Sequence, residues 1–304
     1  MTKEIIGEKT LLDEEQLNEA MKNPAKFKEL RPCEQLEALF FDLMKNGTFN
    51  KDNLIEWNEK VKNNGISYIN NEYFKVVQIV RLLDGEPDTN MIETIINTKI
   101  LEFCLPKLFT KLNKNITINL NLFGKNISKV KGDGLDKFVL LLTIFPKASS
   151  LDTLGLLNLD EKYYKYFVAI DKLEDFTIIN DKDELKRFIY NNGKDVYDYM
   201  FRLSSNYIKA YEFPEYRYLS KKYLLEEIYK QKEPIFPEDL AIDRNDLMES
   251  GIADRNNVDE LMNLLTEHVH NKPYKNNRED LLEAAERISR SKLQRIFRKI
   301  KWIK

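Results

Sequence analysis

The sequence predicts a mostly α protein built as an elongated array of helices, and three observations carry that expectation. Glycine and proline are scarce, at 10 and 9 of 304 residues, while Lys, Glu, Asn, Leu and Ile are abundant. Apolar residues recur at three- and four-residue spacing through most of the chain. The periodic segments also begin at Asp, Asn or Pro and several end at Gly, as capped helices do. A chain of 304 residues can bury one or two cores. Charged residues make up 32% and the net charge is −2, which excludes a histone-like polycation. No apolar run reaches the roughly 20 residues that a membrane-spanning helix needs. The acidic start, MTKEIIGEKTLLDEE, lacks the apolar core of a signal peptide. The two cysteines, Cys33 and Cys104, are too few to form a zinc site and read as buried thiols of a reducing compartment. A cytoplasmic protein is therefore expected.

The elements follow in order. Asp13 with Gln16 has capping-box spacing for a short helix to Lys22. Pro32 opens a second helix with Leu36, Leu39, Phe40 and Leu43 as its stripe, and Gly47 stops it. Leu54, Trp57 and Val61 mark a third, ending at Gly65. A fourth runs from Asn71 with Phe74, Val77, Val80 and Leu83 on one face. Asp88 starts a segment through Ile92, Ile96, Leu101 and Leu105. Next, Ile116, Ile118, Leu120 and Leu122 alternate with polar residues, so the spacing predicts a small β-hairpin near 116–130. Gly132-Asp133-Gly134 is too short for a phosphate-cradling loop and reads as the turn before a helix from Lys137 to Phe145.

The stretch from Glu233 to Ala285 is the most informative. Pro234 and Pro237 end the preceding helix. Asp243 or Asn245 can cap a short helix that closes at Gly251. Val258, Leu261, Met262, Leu264 and Leu265 form a helical stripe, and Asn276 or Asn277 caps a last helix carrying Leu281, Leu282 and Ala285.

The order of residues here resembles the tail of bacterial CCA-adding tRNA nucleotidyltransferases and their poly(A) polymerase relatives. The resemblance is carried by Leu240-Ala241-Ile242-Asp243, Asn245-Asp246-Leu247-Met248, Gly251-Ile252, Leu261-Met262-Asn263-Leu264-Leu265, Val269 and Asn277-Arg278-Glu279-Asp280-Leu281-Leu282. Two departures stand out: Arg244 occupies a glycine position of the family, and Arg255-Asn256-Asn257-Val258-Asp259 replaces its glycine-containing turn. A glycine-rich turn lets backbone approach a phosphate, so the family's mode of RNA contact is altered at both places. The likeness continues through residues 137–232, similar to the family's body, and more faintly through IETIINTKILEFCLPKLF at the join of neck and body. It implies a neck-like region over 1–110, a body-like region over 111–232 and a tail-like region over 233–304.

The catalytic head of that family is not legible. It needs a Gly-Gly or Gly-Ser turn for a triphosphate and paired carboxylates on a strand for two magnesium ions. The sequence has neither glycine pair, and its one D-x-D, Asp181-Lys182-Asp183, precedes a helix where acidic caps are expected. The nearest match to the nucleotide-reading element of the neck, Asn71 to Lys75 with Arg81, is slight, and the simpler reading is solvated charges on a core helix. Where relatives carry a metal-binding His-Asp pair, this chain has Leu141 to Pro146. His268 and His270 lie two apart, so they do not share a helical face, and a solvated role is expected for them. No cofactor is implied.

Two features bear on binding. Tyrosines are frequent from Tyr163 to Tyr229, and such rings either pack with their hydroxyls at the rim or stack on unpaired bases. After Glu286 the chain carries eight cations and no acid, so the rest of it sums to −10. That basic amphipathic end suits RNA phosphates, an anionic membrane surface or an acidic partner. The resemblance then implies a non-catalytic RNA-binding protein that holds tRNA or a tRNA-like fold, with or without a separate nucleotidyltransferase chain. Its candidate RNA-binding residues are Arg244, Asn245, Arg278, Arg290, Lys292, Arg295, Arg298 and Lys299. The rivals are a divergent nucleotidyltransferase with its head hidden in residues 1–110 and a helical module that binds proteins.

Overall fold

The computed structural model describes residues 10–301, with the side chains of Ile66, Arg217 and residues 291–301 outside the description. Among the described residues there are eighteen α-helices and no strand. In chain order they are α1 (Glu14–Lys22), α2 (Pro24–Glu29), α3 (Pro32–Asn46), α4 (Lys51–Asn64), α5 (Glu72–Asp84), α6 (Thr89–Asn97), α7 (Ile100–Cys104), α8 (Pro106–Phe109) and α9 (Lys114–Asn126). There follow α10 (Gly134–Leu142), α11 (Lys147–Gly155), α12 (Tyr164–Ile178), α13 (Lys182–Asn192), α14 (Lys194–Tyr211), α15 (Tyr216–Lys230), α16 (Arg244–Glu249), α17 (Val258–His270) and α18 (Arg278–Lys301). Two compact units result. One holds the described residues up to Thr177 together with Tyr199–Glu215; the other holds Ile178–Asp198 together with the chain from Tyr216 onward.

In the first unit the starts at Asp13, Asn71 and Asp88 and the stop at Gly47 act as the spacing predicts, while the caps at Asn50, Asn113 and Asp133 are additional and the helix expected from Lys137 begins at Gly134. Asp13 and Gln16 exchange the two bonds of a capping box, and Gly47 ends α3 at a φ of 70°. Asn50, Asn71, Asp88, Asn113 and Asp133 each accept from a first-turn N–H of the helix they precede. The tightest packing lies between α5 and α10. Gly134 donates its N–H to Asp84 at 2.8 Å, and buried Lys137 donates to the Leu83 carbonyl at 2.9 Å. A Cβ on Gly134 would sit 2.4 Å from the Val80 oxygen, so only glycine lets the two backbones come this close.

One expected element is wrong. Residues 114–126 form α9, not a β-hairpin. The same apolar residues that alternate along 116–122 also fall at helical spacing: Ile116, Leu120, Phe123 and Ile127 are buried, and Ile118 is left 45% exposed. Asn113 supplies the cap that tips the choice, since it bonds the Ile116 N–H at 2.9 Å. Thr177-Ile178-Ile179, three β-branched residues in a row, are the end of α12 and its exit, with Ile178 the last helical residue.

The second unit contains its own apolar core. Leu240, Ile242, Leu247, Val258, Leu261, Met262, Leu265, Val269, Leu281, Ala284 and Ala285 pack together. These come from the loop before α16 and from α16, α17 and α18, so the expected three-helix tail has folded around the stripe that announces it. Asn276 ties the ends: its Oδ1 accepts from the Ala241 N–H at 2.9 Å and its Nδ2 donates to the Asp239 carbonyl at 2.9 Å. Asn277 caps α18, accepting from the Asp280 N–H at 3.0 Å.

Candidate nucleic-acid interface

The segment from Pro237 to Asp246 lines an open groove of about 850 Å³, with Met262 at its floor. Asp243 begins α16 through a capping box of two carboxylates. Its Oδ1 accepts from the Asp246 N–H, and the Asp246 Oδ2 accepts from the Asp243 N–H, both at 3.0 Å. That places Arg244 and Asn245, both exposed, in the first turn of the helix at the groove. Arg278, from the start of α18, reaches the same turn and donates from Nη2 to the Asp246 Oδ1 at 3.1 Å. Of the eight expected RNA-binding residues, Arg244 and Asn245 are thus neighbours in this turn, and Arg278 is bonded to the turn at Asp246.

Their charges are not free. Arg244 Nε lies 2.6 Å from the Asp259 Oδ1, and Arg290 Nη2 lies 2.9 Å from Glu286, one turn back along α18. The backbone hydrogen bond from Asp243, with the Arg278 guanidinium second, holds the Asp246 carboxyl below its ordinary range. All of these cations remain more than half exposed, so the pairs are weak surface contacts that a phosphate can displace. Lys292, Arg295, Arg298 and Lys299 follow on the backbone of α18, and their side chains lie outside the described residues.

The turn that stands where the resembling family has glycines is built differently. Asp254 Oδ1 accepts from the N–H groups of Asn256 at 2.8 Å and Asn257 at 3.2 Å, while Asn257 Oδ1 accepts from the Asp254 N–H at 2.8 Å. The backbone donors that a glycine turn would offer to a phosphate are thus occupied by the chain's own carboxylate and amide.

The second unit also holds a buried polar cluster that the sequence does not announce. Lys186 of α13 is fully buried, and its Nζ donates to the Glu233 Oε2 at 2.6 Å and the His270 carbonyl at 2.5 Å. Lys182 takes the other Glu233 oxygen at 2.5 Å. Burial alone would raise the Glu233 carboxyl, but the bonds from Lys182 and Lys186 outweigh it and hold it below the usual range. The expectation of solvated histidines fails for His270, which is fully buried with Nε2 2.9 Å from the Ile235 carbonyl. Burial pushes its pKa down, with Lys186 and Arg187 adding to the effect against that carbonyl bond. The reason is position: His270 ends α17 on the face that carries Thr266, turned inward, whereas His268, two residues earlier, is half-buried.

The remaining motif residues divide cleanly. Asp181 is the cap of α13, bonding the Glu184 N–H at 2.8 Å, so the D-x-D is a helix start. In the neck-like match, Lys75 is buried over the Phe103 ring at 4.3 Å, Arg81 meets Glu37 at 3.4 Å and Glu72 meets Lys107 at 3.0 Å. Among the tyrosines, Tyr163, Tyr166, Tyr197, Tyr199 and Tyr211 are core, while Tyr164, Tyr216, Tyr223 and Tyr229 are exposed. Cys104 is buried and Cys33 half-buried. Burial pushes the Cys104 thiol up to about 12, far from a reactive thiolate. Among the described residues no helix is long and apolar enough to cross a membrane, and no three His, Cys, Asp or Glu side chains group as a metal site would need. Compared with protein-family models, curated proteins and solved structures, the chain has no significant match in any of the three.

Proposed function

We propose that this chain is a non-catalytic RNA-binding protein of the cytoplasm that holds tRNA or a tRNA-like fold by shape and phosphate contacts. The observation that carries the reading is the placing of Arg244 and Asn245 on an open groove, with Arg278 bonded to the same turn at Asp246, within the stretch that resembles the tail of CCA-adding enzymes. Arginine suits this role because its planar fork can take two phosphate oxygens at once and can exchange a surface carboxylate for them. Such contacts fix position on the RNA and carry no base sequence, so shape does the selecting. The cations of α18 extend the same chemistry in sequence from Arg290 toward Lys299. Nucleotide transfer, on this reading, belongs to a separate catalytic chain.

The test is filter binding of the whole chain to an unmodified tRNA across a salt series. Each phosphate contact contributes a log–log slope of about −0.7 to −0.9. Replacing Arg244 and Arg278 by glutamine should weaken binding to many folded RNAs alike and make the slope shallower by about 1.5 units. Replacing Arg295, Arg298 and Lys299 by glutamine should do the same by about two to three units. Unchanged affinity and slope in both variants would end the reading. A protein-binding role is the second reading, favoured by the pairing of Arg244, Arg278 and Arg290 with carboxylates of the chain itself.

A further inference from the structure

The chain has two histidines, His268 and His270, and both stand in the last turn of α17. His270 is fully buried, and its Nε2 lies 2.9 Å from the Ile235 carbonyl. A carbonyl only accepts, so Nε2 carries the proton and Nδ1 keeps a bare lone pair. That Nδ1 is buried and, among the described residues, has no hydrogen-bond partner; the same holds for Nε2 of His268. An imidazolium is a donor at both nitrogens. Protonating His270 in place would therefore bury an N–H with nothing to accept it, and a protonated His268 meets the same want at Nε2.

The surrounding charges offer no relief. From α13 come Lys186, whose Nζ bonds the His270 carbonyl at 2.5 Å, and Arg187, whose Nη2 bonds the Asn271 Oδ1 at 2.5 Å. The Tyr190 ring of the same helix stands edge-on to His270 at 5.4 Å. Lys182 is taken by Glu233, and Asp183 stands 3.4 Å from Lys186. Glu233 is held by both lysines, and Asp239 by the N–H groups of Ile235 and Phe236. Around His268 stand Lys272, Lys275 and, from α18, Arg287, while Asp280 is already engaged by Lys275 and Asn277. Glu267, on α17 itself, is exposed and screened by solvent. Helix α16 meets the other end of α17, where Arg244 pairs with Asp259. A helix C-terminus ordinarily favours a protonated histidine, but here Lys186 already fills that place. Burial, with cations beside it, pushes both imidazoles below their ordinary range.

We infer that the end of α17 is an acid-sensitive latch: protonation of His268 and His270 releases residues 233–240 and the last turn of α17 from each other and from α13. At neutral pH three bonds close it, from Lys186 to the His270 carbonyl, from Arg187 to Asn271 and from His270 to the Ile235 carbonyl. Below the free imidazole value of about 6.5, the open form takes up protons that the closed form refuses. Each histidine then raises the opening equilibrium by up to about tenfold per pH unit. Pro237, Glu238 and Leu240 line the groove, so opening removes one wall of it. The latch works whatever the groove binds and does not rest on the RNA reading.

The experiment is amide exchange of the whole chain between pH 7.5 and pH 5.5, corrected for the intrinsic exchange rate, with an NMR titration of both imidazoles over the same range. In the parent, residues 235–240 and 267–271 should lose protection by about tenfold for each histidine, about a hundredfold in all, while α5 and α10 keep theirs. His270→Gln keeps a donor for the Ile235 carbonyl and takes up no proton, so its loss should shrink to about tenfold. His268→Gln and His270→Gln together should leave the protection flat. Parent protection that holds across the range would overturn the inference, as would a double variant that opens as steeply as the parent. Where the glutamine variants do not fold, the parent titration decides. Imidazoles that stay neutral until the segment opens support the latch. An imidazole that titrates at about 6.5 or above, with the amides around it still protected, overturns it.

Discussion

Glu233 is the most consequential single position in the second unit. Its carboxylate is 3% exposed and is shared between fully buried Lys186 and partly exposed Lys182. Replacing it by glutamine keeps the volume and some hydrogen bonding, but it leaves the Lys186 ammonium in the interior with only the His270 carbonyl and the more distant Asp183, at 3.4 Å, to balance it. Breaking one side of a buried pair typically costs about 3–5 kcal/mol, since the remaining charge keeps its desolvation penalty and loses its partner. The retained amide bonds should place Glu233→Gln near 3 kcal/mol, and Glu233→Ala higher. With a urea m-value of about 2 kcal/mol/M, that lowers the unfolding midpoint by about 1.5 M. The double variant Lys186→Met, Glu233→Gln removes the stranded charge and should recover most of the loss. Amide exchange over α13 and α17 localises the effect, because these helices are joined through Lys186 and the His270 carbonyl. A Glu233→Gln variant within about 0.5 kcal/mol of the parent, or a double variant worse than the single, would refute the argument.

Three further outcomes follow from the same packing. His270 has a folded-state pKa below its unfolded value of about 6.5, so the unfolded chain takes up the proton first. Stability should therefore hold above that pH and fall below it by up to about 1.4 kcal/mol per pH unit, with Glu233, also depressed, adding its own loss at pH values below the carboxylate range; a His270→Gln variant whose pH–stability curve between pH 7 and 5 is as steep as the parent's would contradict this. Leu261→Ala and Leu265→Ala each remove a buried side chain from the tail core and should cost about 2–5 kcal/mol in denaturant unfolding, the fully buried Leu265 more than Leu261. Gly134→Ala drives a Cβ against the Val80 oxygen and the Asp84 backbone, so it should cost about 1–3 kcal/mol and lower exchange protection in α5 and α10.

The sequence revealed helix starts better than anything else, and the reason is local. A cap is a bond between a side chain and an N–H two or three residues on, so Asp13, Asn71, Asp88 and Asp181 could be read without knowing what the helix packs against. Period is less secure. Ile116, Ile118, Leu120 and Leu122 satisfy both a two-residue and a near-four-residue repeat, and the decision rested on Asn113 and on which side found a neighbour. What stayed hidden was long-range. Lys186 and Glu233 are 47 residues apart and look like two more surface charges in a chain that is 32% charged. Nothing local distinguishes them, since only the packing of α13 beside the entry to the tail removes both from water.

The proposed binding site has the same division between what is local and what is not. Arg244, Asn245 and Arg278 could be named from their positions in the tail pattern, but the tie of Arg278 to the turn runs through Asp246, which closes the capping box of α16 and answers Arg278 at once. Because that one carboxylate joins the two roles, it sets the strength of any anion contact there. Asp246→Asn would keep a side chain able to accept from the Asp243 N–H while removing the charge that Arg278 answers. If the tail takes phosphate through Arg278, freeing that guanidinium should tighten RNA binding and steepen its salt dependence, the reverse of what Arg278→Gln does. Opposite shifts in the two variants would mean that the arginine faces an anion from outside. Equal losses would mean that the pair only holds α16 to α18, and the groove would then lose its claim to phosphate.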